Sequence, residues 1–300
     1  MTDLETPVLD NHMHLDAANR GLEAVGEFAR SGGTHLLVVN KPSWHHGVEA
    51  DDGEAFRPVF EETLRLVSAA TDRLPGRAWP VLGVHPGLVS RLVDERGFDP
   101  EEARELMCAG IDVAAEYAAD GQAVALKSGR PHYDVSDAVW EASNAVIRHA
   151  CERAAETGVA LQLHTEATED LTDVAGWAED AGLSPGRVVK HYASGRLEGV
   201  TKSVMCEKDY LETAVEVGEP FLMETDFVDD ADRPGAVMGP KTVPRRVRWL
   251  QKQGHDDAVH LAHVETPEAV YGIDTRGRWT AERTSTPRKG RLVAVFRTRA

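Results

Sequence analysis

Cysteine is scarce and unpaired in pattern. Cys108, Cys151 and Cys206 are far apart, odd in number and lack CxxC spacing. That excludes a disulfide framework and a thiolate zinc site, and it suits a reducing compartment. Long apolar runs are also missing, since no stretch approaches the ~18 residues that span a bilayer. The opening "MTDLETPVLD" has neither a basic n-region nor an apolar h-region. We therefore expect a soluble, cytoplasmic protein with no membrane partner. Basic residues are few: 33 Lys and Arg stand against 50 Asp and Glu, for a net charge of −17. Within that minority arginine outnumbers lysine. A solvated acidic surface of this kind resembles halophilic proteins, in which charge maintains solubility. It argues against a broad nucleic-acid footprint, because phosphate would be repelled. The argument weakens in molar salt, where the Debye length is about 3 Å. Internal repeats and low-complexity tracts are absent.

What is present is an ordinary globular composition, 42% hydrophobic and 28% charged over 300 residues. Short β-rich apolar runs fall at 7–12, 34–40, 78–85, 122–127, 158–164, 187–191, 201–206 and 220–226. They are mostly continuous rather than alternating, as strands covered on both faces are. Helical patterns occupy 21–31, 56–73, 101–119, 137–157, 168–181, 208–217 and 243–253. Eight strands alternating with helices predict a (β/α)8 barrel over residues 1–273. The gap between the sixth and seventh strands holds a turn but no full helix. A doubly wound open sheet is the alternative. Residues 274–300 differ in being rich in arginine. Their "RLVAVFRT" could add a strand to an exposed edge or to a neighbouring subunit of a homo-oligomer, or the tail could contact an acidic partner. The plainer reading is an extension folded back on the acidic body.

Polar residues collect at the ends of the predicted strands. The first strand ends in "LDNHMHLD", with His12 and His14 two apart. Residues i and i+2 of a strand face the same way, so both imidazoles can point into one barrel mouth. His85 ends the third strand, Lys127 the fourth, His164 the fifth, His191 the sixth and Asp226 the eighth. The C-terminal ends of barrel strands form the active face. Imidazoles from strands one, five and six with a carboxylate from strand eight make a nitrogen/oxygen site suited to Zn²⁺, with Mg²⁺, Mn²⁺ and Co²⁺ as alternatives. One strand-end histidine is usually structural, and HxH alone is a weak signal. The ordered set is more specific. His45 and His46 fall in a loop, solvated or facing substrate. His35 begins a strand at the wrong end, and His149, His255, His260 and His263 lie in or near helices; these are expected to be structural. Lys127 is out of place beside cations. Burial and neighbouring charge lower a lysine pKa, and a neutral amine can add carbon dioxide. The resulting carbamate could bridge two metals. The alternative is an unmodified lysine that contacts substrate or replaces the charge of one metal.

These motifs resemble the TatD-like metal-dependent hydrolases of the amidohydrolase superfamily. "DNHMHLD" looks like the family's strand-one HxH and "GVHP" its GxHP. "LQLHTE" carries a fifth-strand histidine, "VVKHYASG" is similar to its HxxSG-type segment, and "FLMETD" to its terminal (E)TD. "PEAVYGI" is similar to its C-terminal signature. "GRPHYDVS" and the long segment after "ETD" resemble an archaeal branch of the family. TatD relatives usually carry glutamate where this chain has Lys127, whereas the phosphotriesterase-like branch uses a carboxylated lysine. The resemblance implies two divalent ions, one on His12, His14 and Asp226 and one on His164 and His191, with N6-carboxylated Lys127 bridging. It implies a bridging hydroxide as nucleophile and Asp226 as the group that moves its proton. Substrate contacts are expected from His85, from Arg130 and His132 in "GRPHY", from Glu166 and Lys208 near the mouth, and from Arg233 and Lys241 in the loop after strand eight. Helix-capping salt bridges are the alternative for the charged members. The expected substrate is a phosphoester, either nucleic acid as in a TatD-type deoxyribonuclease or a small molecule. Hydrolysis of a small amide or lactone is the alternative, and a non-enzymatic metal-binding protein the second.

Overall fold

The computed structural model describes residues 6–232 and 237–277. Its parallel strands are β1 (Leu9–His14), β2 (His35–Val39), β3 (Ala78–Gly83), β4 (Ala125–Gly129), β5 (Ala160–His164), β6 (Val188–Ala193), β7 (Thr201–Met205), β8 (Phe221–Glu224) and β9 (Phe227–Val228). They lie side by side in the order β8-β7-β6-β5-β4-β3-β2-β1-β9. Only Thr225 and Asp226 separate β8 from β9. β8 pairs with β7, and β9 pairs with β1. One broken eighth strand thus borders both edges and closes the ring, as a (β/α)8 barrel requires and an open sheet does not.

The helices are α1 (Leu22–Arg30), α2 (Arg57–Thr71), α3 (Leu88–Ser90), α4 (Pro100–Ala119), α5 (Asp137–Thr157), α6 (Thr172–Asp180), α7 (Lys208–Val217), α8 (Thr242–Lys252), α9 (Asp256–His260) and α10 (Thr266–Tyr271). Residues 194–200 join β6 to β7 without a helix, as their short spacing predicts. Local sequence explains the long helices. Asp99 and Glu102 form a reciprocal capping box at the start of α4, with Pro100 in its first turn. Ser136 accepts from the Val139 N–H to cap α5, which ends on Gly158 in the left-handed region. Ala103, Met107, Ile111, Ala114 and Ala118 form the buried stripe of α4.

The apolar core lies on both surfaces of the sheet. Helices cover the outside. Inside, Leu9, Leu37, Val81, Val189 and Leu222 meet Val270, Tyr271 and Ile273, so α10 and the residues after it plug one end. The other end is polar and holds the strand-end residues. Two register shifts re-aim side chains there, between Asp10 and Met13 of β1 and between Lys190 and Ala193 of β6. Gly83 lets β3 and β4 close up beside Lys127, because a Cβ at residue 83 would lie 2.0 Å from the Lys127 carbonyl oxygen. Thr275 donates to the His263 carbonyl at 2.6 Å, which ties residues just past 273 to the barrel. Arg233 and residues 278–300 of the arginine-rich tail, the "RLVAVFRT" segment among them, lie outside the described residues. Among the described residues, no helix is long and apolar enough to cross a membrane.

The plugged end carries a pH-sensitive pair. His35 stacks on Trp79 with ring centroids 5.5 Å apart, and His263 Nδ1 accepts from the Leu9 N–H at 3.1 Å. Burial pushes His35 down to about 4 and His263 down to about 3. Both are neutral when folded and titrate near 6.5 when unfolded, so the unfolded chain takes up protons first as pH falls. Stability from this pair is complete above pH 6.5 and is lost as pH falls toward 4. Each histidine contributes a slope of up to about 1.4 kcal/mol per pH unit. Urea unfolding of His35→Gln between pH 7 and 5 should show a shallower pH dependence than wild type. An unchanged slope refutes the assignment.

Candidate metal centre

The site lies at the polar mouth. A cavity of about 570 Å³ is lined by His14, Trp44, His85, Lys127, His132, His164, His191, Tyr192 and Asp226, with Lys41 and Lys190 among the remaining walls. His12 lies beneath, fully buried. His12 Nε2 stands 3.2 Å from His14 Nε2. Their other ring nitrogens fix the tautomers. His14 Nδ1 lies 3.0 Å from the Val39 carbonyl, which can only accept. His12 Nδ1 lies 2.9 Å from Gln162 Oε1. Both Nδ1 atoms therefore carry the proton, and two bare Nε2 lone pairs face each other. Two imidazole ligands on one tetrahedral zinc ion stand about 3.3 Å apart, from Zn–N distances near 2.0–2.1 Å. The donor pair fits a divalent ion, and a backbone or side-chain acceptor behind each ring is the usual support.

A second pair lies alongside. His164 Nδ1 is 2.7 Å from His191 Nε2. The His191 ring stacks on His12 at 3.9 Å between centroids and joins the two pairs. Asp226 Oδ1 lies 3.8 Å from His12 Nε2 and 4.0 Å from His14 Nε2. Donor atoms of His12, His14 and Asp226, one of the expected ligand sets, thus all fall within 4.0 Å of one another, and those of His12, His191 and Asp226 within 4.8 Å, so His191 borders the first set as well. Lys127 Nζ reaches His12 Nε2 at 3.3 Å. The set of neutral nitrogens, one carboxylate and one lysine suits a divalent ion.

Electrostatics agree with ligand chemistry. Burial, reinforced by the Lys127 ammonium, holds His12 well below its ordinary range and His14 down to about 3. Burial, and then neighbouring histidines and Lys127, do the same to His164 and His191. Neutral imidazoles are what a metal needs. Burial pushes Lys127 down to about 8 despite the opposing pull of Asp226 and Glu224. Buried Glu224 is driven well above the usual carboxylate range, first by burial and then by Asp226. Its Oε1 accepts from the Tyr192 N–H at 2.6 Å and lies 3.4 Å from His191 Nδ1, while Ser203 donates to Oε2.

The structure brings His12, His14, Lys127, His164, His191 and Asp226 together, and it sets His85 and His132 in the wall. His132 Nδ1 lies 2.8 Å from His164 Nε2, and His85 Nδ1 accepts from the Gly87 N–H at 3.0 Å. Other expected contacts lie apart from the cavity wall. Arg130 is buried against Glu166 at 2.6 Å and Asp173 at 2.7 Å, with its guanidinium over Trp140. It reads as the bracing pair that was the alternative for both Arg130 and Glu166. Lys241 pairs with Glu27 at 3.3 Å, and Lys208 sits over Trp249 at the start of α7. Sequence reasoning missed Lys41, Trp44, Gln162, Lys190, Tyr192 and Glu224. Lys41 lies two residues past the end of β2, so the strand-end rule applied to "VVNKP" would have found it. Lys190 and Tyr192 flank His191, and strict alternation hides them; the register shift in β6 turns all three toward the mouth.

Fold and donor set together define a metal-dependent hydrolase of the barrel class. A family described as TatD related DNase matches residues 9–271, and the chain belongs to it. An uncharacterized protein of Methanocaldococcus jannaschii is 32% identical over 281 residues, covering 89% of this chain and 96% of the relative. Three solved structures share the fold. The TatD-like protein of Archaeoglobus fulgidus matches with TM-score 0.56 at 14% identity over 88% of this chain and 100% of its own. Organophosphorus hydrolase from Deinococcus radiodurans matches with TM-score 0.52 at 15% identity over 89% and 93%. The phosphotriesterase homology protein of Escherichia coli, complexed with phosphate in its active site, matches with TM-score 0.55 at 13% identity over 89% and 99%.

Proposed function

We propose that the protein hydrolyses a phosphoester at this centre, using two divalent ions, with zinc as the first candidate. The observation that carries the reading is a reversal of charge. The chain has a net charge of −17, yet among the described residues the cavity wall holds Lys41 and Lys190, besides the bridge candidate Lys127, and a single acidic residue, Asp226. Such a lining favours an anionic substrate. The phosphate in the Escherichia coli relative's site agrees with that choice. Bound ions would activate water and polarise the oxygen under attack. The chain's own residues do the rest. His12, His14, His164 and His191 present neutral nitrogens. Asp226 accepts the proton of the attacking water and returns it to the leaving oxygen. Lys41 and Lys190 are held in place, Lys41 Nζ by Asp16 at 2.6 Å and Lys190 Nζ by Thr165 at 3.0 Å, and they face the substrate's charge. The three cysteines are free, which fits a cytoplasmic location as part of the same proposal.

A small amide or lactone is the competing substrate, favoured by an acidic exterior that repels polyanions. Metal-loaded protein assayed against single-stranded DNA, phosphodiesters, phosphomonoesters, lactones and amides decides between them. Turnover confined to lactones or amides overturns the phosphoester reading. We expect about two divalent ions per chain by elemental analysis. Zinc at about 1,000 times its Kd should add roughly 4 kcal/mol of stability. Chelation should abolish activity. Metal-free protein with chelator-insensitive turnover would falsify the metal centre.

A further inference from the structure

Gln162 lies in the middle of the barrel, at the level of Lys127 on the neighbouring strand β4, and it is fully buried. Its amide is held at both ends. Nε2 donates to the Asn11 carbonyl at 3.2 Å and to the Tyr271 hydroxyl at 2.9 Å. Oε1 faces His12 Nδ1 at 2.9 Å. Tyr271 belongs to α10, the segment that plugs the far end of the barrel. A chain of hydrogen bonds therefore runs from the plug, through one amide, to the deepest histidine of the mouth.

The geometry points to Gln162 as a positioning residue that fixes His12 as its Nδ1–H tautomer, with Tyr271 holding Gln162 in place from the plug. The inference rests on His12 being a metal ligand. The Asn11 carbonyl has no proton to give, so the amide end facing it is the NH2 group. That leaves Oε1 toward His12, and an oxygen can only accept. His12 Nδ1 then carries the proton, and Nε2 keeps the lone pair that a metal requires. A flipped amide would set Oε1 against the Asn11 carbonyl and NH2 against His12 Nδ1. The imidazole would then have to move its proton to Nε2, which abolishes ligation. The Tyr271 hydroxyl gives Gln162 a second acceptor and limits its side-chain movement. The centre is in this way tied to residues 266–273, far along the chain from β1.

Gln162→Leu keeps a similar volume and removes the acceptor. Zinc affinity, measured by competition with a chromogenic chelator, should fall about 10- to 100-fold. Nitrogen-15 chemical shifts of His12 in the metal-free protein should change from one Nδ1–H tautomer to a mixture. Gln162→Glu keeps an acceptor toward His12 and should retain the single tautomer. Tyr271→Phe should weaken zinc binding less than Gln162→Leu, and its effect should vanish in the Gln162→Leu background. Unchanged zinc affinity in folded Gln162→Leu overturns the proposal. Additive effects of the two substitutions overturn the role given to Tyr271. If wild type itself binds no zinc, the metal-centre reading fails, and the tautomer of metal-free Gln162→Leu then decides this inference separately.

Discussion

Asp226→Asn is expected to lower kcat by about 10²- to 10⁴-fold, the range for losing a positioned general base, while metal content falls far less. Asp226 has φ +46°, one of two non-glycine residues described in the left-handed region. It sits in the break between β8 and β9. Thr225 secures that break through its hydroxyl and N–H, which donate to the Asp10 carboxylate at 2.7 and 3.1 Å. The turn throws the Asp226 carboxylate into the mouth beside His12 and His14. Asparagine tolerates the left-handed region at least as well as aspartate, so the backbone should survive. Its amide oxygen can still ligate weakly, but it cannot take a proton. Steady-state kinetics alongside elemental analysis checks this. A variant with near-normal kcat shows that another group moves the proton.

The barrel was legible because its signal is repetitive. Each buried parallel strand is a continuous apolar run, and helices separate most of them at regular spacing. The helix missing between β6 and β7 was legible for the same reason, since the intervening residues are too few. The broken eighth strand was not. The sequence reads as one strand ending at 226, whereas the Asp10–Thr225 hydrogen bonds, which join residues 215 apart, end it at Glu224 and let Phe227–Val228 pair with β1. Plugging of the barrel by α10 was equally hidden, because it depends on Val270, Tyr271 and Ile273 meeting strands throughout the chain.

In the site, histidines at strand ends were legible because strand termini and imidazole chemistry can both be read locally. Residues that tune the centre were not. Gln162 looks like any strand glutamine until Tyr271 and His12 are placed on either side of it. Arg130 and Glu166 sit close to the motif histidines in sequence, which made them attractive as substrate contacts. Folding turns them to each other, because α5 and α6 bring Asn144 and Asp173 against the same guanidinium.

Lys127→Ala is expected to cost one of the two ions, and Lys127→Glu to keep both while losing rate. An unmodified ammonium beside two cations is repelled; a carbamate attracts them. Its formation needs a neutral amine. Burial pushes Lys127 down to about 8, so the neutral amine is far more accessible near neutral pH than in an ordinary lysine near 10.4. The amine nitrogen bonds to the carbon of CO2, one C=O electron pair moves onto oxygen, and the nitrogen releases a proton. The added carboxylate can place one oxygen on each metal. Alanine removes this bridge, and a short carboxylic acid should restore part of the second metal by supplying the missing oxygens. Glutamate supplies a carboxylate directly, but on a shorter arm. Active-site placement is demanding at about 0.5 Å, so metal binding should survive better than turnover. Elemental analysis of the variants and electron density at Lys127 in a metal-loaded crystal provide the test. A carbon and two oxygens beyond Nζ support the bridge. A bare ammonium in a fully loaded site refutes it and makes Lys127 a contact for the substrate's phosphate.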